Sequence, residues 1–319
     1  MAKAKVNSLL RFVDNYTVID IETTGHSLYY DYIIELSAVK YRNNELFDTF
    51  TTLINCGKNI NQFIVELTGI NSKMISNAPR FSEVVDDFFD FIGDDYLVGH
   101  NVSFDISFIN LEASKEKKGS LENYFIDTLR LSRRLLKDIE NHKLTTVAKH
   151  FGIDRTIHRG LVDCEVTHRV YQAFKQMVTK EDIDSNGDLV QVKRAHNSRS
   201  YSKDFSSIIP TVDFDELQDY LDEFFFEKNV VITGKLTHFT KSELGQIIIN
   251  QGGFFASNIT TDTNVLILGN TDYQESIYKS KSTKHLKAEK MLLEGFDLQI
   301  IDEYTAYDFL GIKTFKNQR

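Results

Sequence analysis

One short apolar segment of this chain carries two carboxylates at a spacing that can support chemistry. Residues 16–25 read Tyr-Thr-Val-Ile-Asp-Ile-Glu-Thr-Thr-Gly, and their apolar, β-branched pattern predicts a buried strand. Successive side chains of a strand point to opposite faces, so Asp20 and Glu22 point the same way. Like charges this close raise each other's pKa unless a cation holds them. The alternative is a strand end with two solvated acids, and the pair by itself leaves both interpretations open.

Two further acids are predicted on the inward faces of helices. Asp105 shares a helical face with Phe108, and Asp163 shares one with Val166. Burying an acid on an apolar face costs free energy unless it has a partner. For Asp105 the alternative is an acid near a helix N-terminus that interacts favourably with the helix dipole.

Together the four carboxylates form a candidate metal centre. Oxygen ligands suit hard cations such as Mg²⁺ or Mn²⁺ rather than zinc. Several carboxylates in one pocket can hold two ions about 3.5–4 Å apart, the arrangement for in-line displacement at a phosphodiester. His158 stands five residues before Asp163 on a predicted loop. Because imidazole titrates near neutrality, His158 is suited to accept the proton of an attacking water.

The elements that must position these acids alternate between strands and helices. Asn43-Asn44 predicts a tight hairpin between two strands at 31–41 and 45–54, which gives the sheet an antiparallel start. Apolar residues at helical spacing predict a helix over 81–92. The rest of this half is predicted as a short strand at 96–99, a helix to about 114, a strand from 125 that runs into a helix, a short helix at 144–151, and a helix from about 160 to 177.

Composition narrows the class of partner. The chain has 319 residues, 41% of them hydrophobic, which is enough for two domains with real cores. The net charge is −9, with 22 Lys and Arg against 24 Asp and Glu in residues 1–180. If nucleic acid is the partner, it must be held locally, by metals and a few cations, rather than by a broad basic face.

Cysteine usage and hydropathy predict a cytoplasmic location. Cys56 and Cys164 are the two cysteines, and neither has a partner at metal-ligand spacing. No apolar run approaches a signal peptide or a membrane span, so we expect no membrane association.

The order of the motifs resembles the DEDD superfamily of exonucleases, in the branch with His in the third motif. The matching segments are Asp-Ile-Glu-Thr-Thr-Gly, Gly-His-Asn-Val-Ser-Phe-Asp and His-x-x-x-x-Asp, over about residues 12–178. Leu-Thr-Gly-Ile and Phe-Ile-Asp-Thr-Leu look like the proofreading epsilon subunits of bacterial DNA polymerase III. The resemblance implies a ribonuclease-H-like α/β fold with a mixed five-stranded sheet.

The same resemblance implies roles for the candidate metal centre. Asp20, Glu22 and Asp163 would bind the first of two Mg²⁺ or Mn²⁺ ions. Asp20 would bridge to the second ion, Asp105 would hold that ion through water, and His158 would be the general base.

The resemblance also implies contacts with the 3′-terminal nucleotide. The residues concerned are Thr23, Thr24, Gly25 and Asn101. Glycine would let the backbone approach the nucleotide closely.

The second half of the chain is predicted to be a separate domain. We expect an exonuclease domain at 1–180, a flexible linker at 181–214 with turn-rich and basic segments, and a domain at 215–319. Strands alternating with helices from residue 230 onward predict a small parallel sheet.

This half resembles a BRCT domain over about residues 220–312, although it lacks the Trp of the last helix. Thr-Gly-Lys-Leu, Gly-Gly and Ser-Thr-Lys-His-Leu-Lys-Ala-Glu-Lys carry the resemblance. It implies a phosphate site at Thr233, Gly234, Thr283 and Lys284, which a helix N-terminus would support. The alternative is a single BRCT that binds protein or DNA weakly without capturing phosphate.

Residues 218–225 fit the spacing of a sliding-clamp peptide, Gln-x-x-Leu-x-x-Phe-Phe. They also fit a helix that leads into the BRCT domain and packs its aromatic residues in a core, which is the interpretation we favour.

The sequence thus predicts a two-metal 3′→5′ exonuclease that releases nucleoside 5′-monophosphates from single-stranded or frayed DNA ends. The BRCT domain would recruit it to DNA or to repair and replication partners. Two alternatives stay open: an RNA-trimming exonuclease, and a BRCT scaffold that mainly grips 3′ ends.

Overall fold

The computed structural model describes residues 8–136, 139–154, 159–185, 187–189, 223–225, 228–270, 273 and 281–312. The chain divides into two compact units, residues 1–189 and 190–319. Each unit has its own sheet.

A mixed six-stranded sheet forms the centre of the first unit. Its strands are β1 (Ser8–Leu9), β2 (Tyr16–Thr23), β3 (Ile33–Arg42), β4 (Glu45–Leu53), β5 (Leu97–Gly99) and β6 (Phe125–Asp127). Their order is β1-β6-β5-β2-β3-β4, with β2, β3 and β4 antiparallel and the other neighbours parallel. The mixed α/β sheet was predicted, but the expected number of five strands was wrong. The additional strand, β1, has two residues, too few for a periodic pattern to show.

The turn between β3 and β4 is the tight hairpin that Asn43 and Asn44 predicted. Both residues have positive φ, 52° and 64°. Two successive left-handed residues match the twist of the flanking strands, and Asn adopts this conformation readily. The hairpin sets the register of β3 against β4.

Seven helices are described in the first unit, and the last of them packs on the central strands. They are α1 (Gln62–Thr68), α2 (Ser72–Ile75), α3 (Phe81–Ile92), α4 (Val102–Lys115), α5 (Thr128–Leu135), α6 (Leu144–His150) and α7 (Gly160–Met177). Helix α7 contacts both β2 and β3. Its Val166, Val170 and Phe174 are buried in a cluster with Tyr16 and Val18 of β2. This packing fixes α7 relative to the strand that carries the predicted acids.

The first unit continues beyond residue 180, where the predicted exonuclease domain ended. A short 3₁₀ helix (Lys180–Asp182) follows α7. The backbone N–H of Leu189 then donates to the carbonyl of Leu10 at 2.7 Å, and its side chain is buried. Arg11 forms an ion pair with Asp188 at 2.8 Å. These contacts tie residues 188–189 to the start of the chain, and most of the predicted linker lies outside the described residues.

The second unit is built on a four-stranded parallel sheet, as its alternating pattern predicted. Its strands are β7 (Asn229–Thr233), β8 (Phe254–Ala256), β9 (Thr263–Leu268) and β10 (Gln299–Asp302), in the order β10-β9-β7-β8. The helices whose bounds the structure describes here are α8 (Lys241–Asn250), α9 (Thr283–Leu293) and α10 (Glu303–Phe309). Strand β8 was not predicted.

The aromatic pair of the clamp-like segment lies in the core of the second unit. A single 3₁₀ turn (Glu223–Phe225) is described there. Phe224 and Phe225 are buried, and Phe224 stacks on Phe309 with ring centroids 4.2 Å apart. This is the packing role that we favoured for the two phenylalanines, and residues 218–222 lie outside the described part.

Across the described residues, no helix combines the length and the apolar composition needed to cross a membrane.

We predict that Gly160→Ala destabilises the protein by about 1–3 kcal/mol, because the start of α7 has no space for a methyl group. A Cβ at position 160 would lie 2.2 Å from Oγ and 2.7 Å from Cβ of Ser37 on β3. Denaturant unfolding measures the change.

The matched control is Gly119→Ala, where the nearest atom to the new Cβ is a ring carbon of Phe89 at 3.7 Å. We expect that change to stay within about 0.5 kcal/mol. Equal effects of the two substitutions would contradict the close packing of α7 on β3.

Candidate active site

Three of the predicted acids converge at the contact between β2 and α7. Asp20 and Glu22 lie on β2, and Asp163 lies in the first turn of α7. One carboxylate oxygen from each lies within 4.8 Å of the others. Asp163 is buried, whereas Asp20 and Glu22 are half-buried. The side chains thus form a compact acidic cluster with access to solvent.

Asp105, the fourth predicted acid, lies beside this cluster. It is buried in the first turn of α4, and its Oδ1 accepts a hydrogen bond from the backbone N–H of Ile21 at 3.1 Å. Ile21 stands between Asp20 and Glu22 on β2. The bond brings Asp105 against the acidic strand, and its predicted role at a second metal remains a prediction.

Burial and mutual repulsion disfavour ionisation of the acids in this site. Desolvation, followed by the charge of Asp163, raises the pKa of Glu22 to about 8. The pKa of Asp20 is raised well above its ordinary value by burial and then by Asp163, Asp105 and Glu22. Burial likewise raises the pKa of Asp105, although its hydrogen bond from Ile21 opposes the shift. A positive charge in the cluster would reverse these shifts.

The donor set fits a hard divalent cation. Oδ2 of Asp20 is buried and accepts no hydrogen bond from the described residues. A buried carboxylate oxygen without a donor is costly, and a cation is the natural partner for it. All three clustered side chains offer oxygen, which suits Mg²⁺ or Mn²⁺. The fit therefore rests on both geometry and ligand type.

A fifth carboxylate, which the sequence reasoning missed, lies next to the cluster. Glu35 pairs with Glu22 in the register between β2 and β3 and is 3% exposed. Its Oε1 accepts from the guanidinium of Arg159 at 3.2 Å, and its Oε2 accepts from the backbone N–H of Gly160 at 3.1 Å. An acid inside the apolar strand Ile-Ile-Glu-Leu-Ser-Ala-Val was the available signal.

A second missed acid, Asp127, fixes the loop that precedes α4. Its Oδ1 accepts from the backbone N–H groups of Asn101 and Leu129, both at 2.8 Å. Asn101 immediately precedes α4 with φ 70°. His100 adds a contact of 2.8 Å between its Nε2 and the carbonyl of His142. The entry to the helix that carries Asp105 is therefore held rigidly, and the nucleotide contact of Asn101 stays a prediction.

The predicted nucleotide-binding segment is shaped by Asp31. The hydroxyl of Thr24 donates to Oδ1 of Asp31 at 2.9 Å, and the hydroxyl of Thr23 donates to the carbonyl of Gly25 at 2.5 Å. A Cβ at position 25 would lie 2.5 Å from Oδ2 of Asp31. Glycine is thus required here by the packing of Asp31, and the predicted contacts with a nucleotide remain predictions.

Of the remaining predicted site residues, His158 lies outside the described part of the chain. The other four were predicted in the second unit. Thr233 ends β7, Gly234 follows it with φ 74°, and Thr283 begins α9. The ammonium group of Lys284 donates to the carbonyl of Ser257 at 2.6 Å. That group has three donors, so this contact leaves two for another acceptor.

Comparison with known proteins agrees with the site in the first unit. Residues 17–171 match the family model RNase_T, described as Exonuclease. The first unit therefore contains an exonuclease domain of the DEDD type, and this part of the predicted resemblance is confirmed.

Relatives of this chain include PolC-type DNA polymerases III. The protein of Bacillus subtilis is 37% identical over 206 residues, which are 62% of this chain and 14% of that protein. The protein of Clostridium perfringens is 30% identical over 309 residues, which are 96% of this chain and 19% of that protein. The chain thus spans less than a fifth of the length of these relatives. Among solved structures, exonuclease X with 5′-overhanging duplex DNA is similar over 52% of this chain and 95% of that chain. The TM-score is 0.42 and the sequence identity is 21%, and these values are too low to add to the assignment.

We predict that the metal-free protein loses stability as the pH rises from about 4.5 to about 8. Glu22 has a reference pKa of 4.5 and a folded pKa of about 8, so the folded state binds more protons than the unfolded state in this window. The free energy of unfolding must then fall with pH, and Mg²⁺ should reduce the fall. Urea titrations with EDTA or Mg²⁺ measure it.

Glu22→Gln should flatten this pH dependence in EDTA, whereas exchange of the exposed Glu116 for Gln should leave it as it is. A metal-free protein whose stability rises through this window would contradict the repulsion in the cluster.

Proposed function

We propose that the exonuclease domain hydrolyses phosphodiester bonds at the 3′ end of DNA and releases nucleoside 5′-monophosphates. The observation that carries the proposal is the approach of three carboxylates, from Asp20, Glu22 and Asp163, to within 4.8 Å of one another. Such a cluster is unfavourable in a folded protein unless a cation is bound. Two-metal hydrolysis is the chemistry that suits it best.

Asp20, Glu22 and Asp163 would hold one divalent cation, and Asp20 and Asp105 would hold a second. Bound ions of this kind supply hydroxide near neutral pH and stabilise negative charge on the leaving oxygen. The carboxylates of the chain fix where the attacked phosphate must lie. Asp105 is already oriented for this role by the N–H of Ile21.

Other residues of the chain would bind the nucleotide and move the proton. His158 would accept the proton of the attacking water. Thr23, Thr24 and Gly25 would offer backbone and hydroxyl contacts to the terminal nucleotide, in a loop whose shape is maintained by Asp31. The hydroxyls of both threonines donate within this loop, and the backbone N–H of Thr24 donates to the carbonyl of Tyr32 at 2.9 Å, so the loop is held in one shape before a nucleotide binds.

The substrate is inferred to be DNA, in single-stranded or frayed form. The relatives are named as DNA polymerases, which supports a proofreading or repair role beside a polymerase. RNA trimming is the alternative within the same chemistry. Discrimination would depend on the 2′-hydroxyl, and a direct comparison of the two substrates decides it.

Hydrolysis by this site should stop when Asp163 loses its charge. A 5′-labelled DNA oligonucleotide with Mg²⁺ should give a ladder that shortens from the 3′ end. Asp163→Asn keeps the side-chain shape and should lower the rate about 1000-fold or more, because several kcal/mol of metal-dependent stabilisation are lost. EDTA should abolish the ladder.

The control for this assay is Asp86→Asn, which alters an exposed acid paired with Lys118. Its rate should match wild type. A ladder mainly on an RNA of the same sequence would keep the mechanism and reject DNA as the substrate. Binding of 3′ ends without a ladder on either substrate would favour the scaffold alternative, as would an Asp20→Ala variant that keeps full function.

For the second unit we propose a BRCT domain that recruits the nuclease to DNA or to a repair or replication partner. Its small parallel sheet with flanking helices supports this assignment. Thr233, Gly234, Thr283 and Lys284 would contact a phosphate group. The N–H groups at the start of α9 and the free donors of Lys284 suit an anion.

We expect Lys284→Ser to weaken binding of a DNA duplex with a 5′-phosphate about tenfold, the loss of one charge-assisted hydrogen bond. Fluorescence anisotropy in EDTA measures binding without cleavage. Lys290→Ser is the control, because that lysine lies on the same helix, α9, and is 77% exposed. Equal affinities of the two variants would reject the phosphate site.

A further inference from the structure

We infer that Glu35 is a positioning residue that fixes the start of α7 and thereby places Asp163 in the acidic cluster. The importance of this positioning for a metal rests on the proposed function, whereas the contacts of Glu35 do not depend on that function. Glu35 lies on β3 and is 3% exposed. None of the roles implied by the motifs belongs to it.

The contacts form a continuous chain from Glu35 to Asp163. Oε2 of Glu35 accepts from the N–H of Gly160 at 3.1 Å. The carbonyl of the same peptide, which belongs to Arg159, accepts from the N–H of Val162 at 2.8 Å and from the N–H of Asp163 at 3.0 Å. The backbone of Asp163 is therefore one hydrogen bond away from the peptide that Glu35 holds.

Packing at the same point leaves this peptide little freedom. A Cβ at position 160 would meet Ser37 at 2.2 Å and Oε2 of Glu35 at 3.4 Å. Strand β3 thus presents both a close surface and an acceptor to the first turn of α7. A carboxylate whose oxygens did not reach Gly160 would leave this buried N–H without its acceptor, at a cost.

Arg159 allows this carboxylate to be buried beside other acids. Its guanidinium donates to Oε1 of Glu35 at 3.2 Å. An unpaired charge at this depth would be costly, and the cluster on β2 would add repulsion. The side chain of Arg159 is itself 53% exposed, so water can hydrate the guanidinium when residue 35 carries no charge. The bond to Gly160 is the contact that positions the helix.

In the sequence, the anchored peptide lies between two predicted functional residues. Arg159 directly follows His158, the predicted general base, and Asp163 lies four residues further on. One carboxylate on β3 therefore holds the peptide from which the first turn of α7 leads to Asp163. Positioning partners of this kind typically change metal affinity about 10- to 100-fold when they are removed.

Two conservative variants separate positioning from charge. Glu35→Gln keeps the reach of the side chain and an acceptor for Gly160, but loses the charge. Glu35→Asp keeps the charge, but its carboxylate is one methylene short of Gly160. If Glu35 acts by positioning, Glu35→Asp should weaken both the protection of the α7 amides and the binding of Mn²⁺, and Glu35→Gln should stay close to wild type in both. A role for charge or direct cation binding predicts the reverse order.

The first measurement is hydrogen exchange of the α7 amides from Gly160 to Asp163 in EDTA. We expect Glu35→Asp to exchange at least about tenfold faster than wild type there, since about 1.4 kcal/mol of protection corresponds to a factor of ten. Glu35→Gln should remain within a few-fold of wild type. Because no cation or substrate is present, this readout does not depend on activity.

The second measurement is Mn²⁺ affinity by isothermal titration calorimetry on the full chain. Glu35→Asp should bind Mn²⁺ about 10-fold or more weakly, and Glu35→Gln should bind nearly as wild type. Glu112→Asp and Glu112→Gln are matched controls, because Glu112 is also buried and ion-paired, with Lys115 at 2.8 Å. Both controls should leave Mn²⁺ affinity unchanged.

Wild-type exchange and Mn²⁺ affinity in Glu35→Asp would overturn the inference. So would a Glu35→Gln variant that binds Mn²⁺ more weakly than Glu35→Asp. A wild-type chain that bound no Mn²⁺ would instead reject the proposed function, and the exchange of α7 would still decide whether Glu35 positions the helix.

Discussion

Repulsion between clustered carboxylates is the constraint on which the first unit depends. Asp20, Glu22 and Asp163 bring their oxygens within 4.8 Å, and burial together with their charges raises the pKa of Glu22 to about 8. The carboxylates repel one another, so the packing of α7 on β2 and β3 must keep them close together. Val170 and Phe174, which are fully buried, supply apolar contacts that oppose the repulsion. The acids are thus placed for a cation before one binds.

The acids of this unit differ in their hydrogen-bond donors, and the difference corresponds to the roles that we propose for them. Asp31, Asp127 and Glu35 each accept from a backbone N–H, of Ser27, Asn101 and Gly160 respectively. Each therefore fixes a loop or a helix start near the site. Oδ2 of Asp20 has no such donor among the described residues. Asp105 combines both features, because Ile21 donates to it while burial raises its pKa.

The second unit also contains a buried acid that accepts hydrogen bonds from backbone N–H groups. Glu303 is fully buried and accepts from the N–H and hydroxyl of Thr237, from the N–H of Asn270 and from the hydroxyl of Tyr307. Thr237 follows β7 and Asn270 follows β9, so one carboxylate ties the segments after two neighbouring strands. Residues proposed to contact phosphate lie at the end of β7, beside a backbone that is already rigid.

The sequence alone determined the features that depend on local periodicity and turn chemistry. Strand β2, the Asn43-Asn44 hairpin, helix α7 and the four clustered or adjacent acids all follow from patterns a few residues long. It could not indicate β1 or β8, which are too short for a period to appear. Nor could it assign Glu35, because its partner Gly160 lies 125 residues away. Only the tertiary structure decides such contacts, since a hydrogen bond between distant residues exists only after the sheet and the helix have packed.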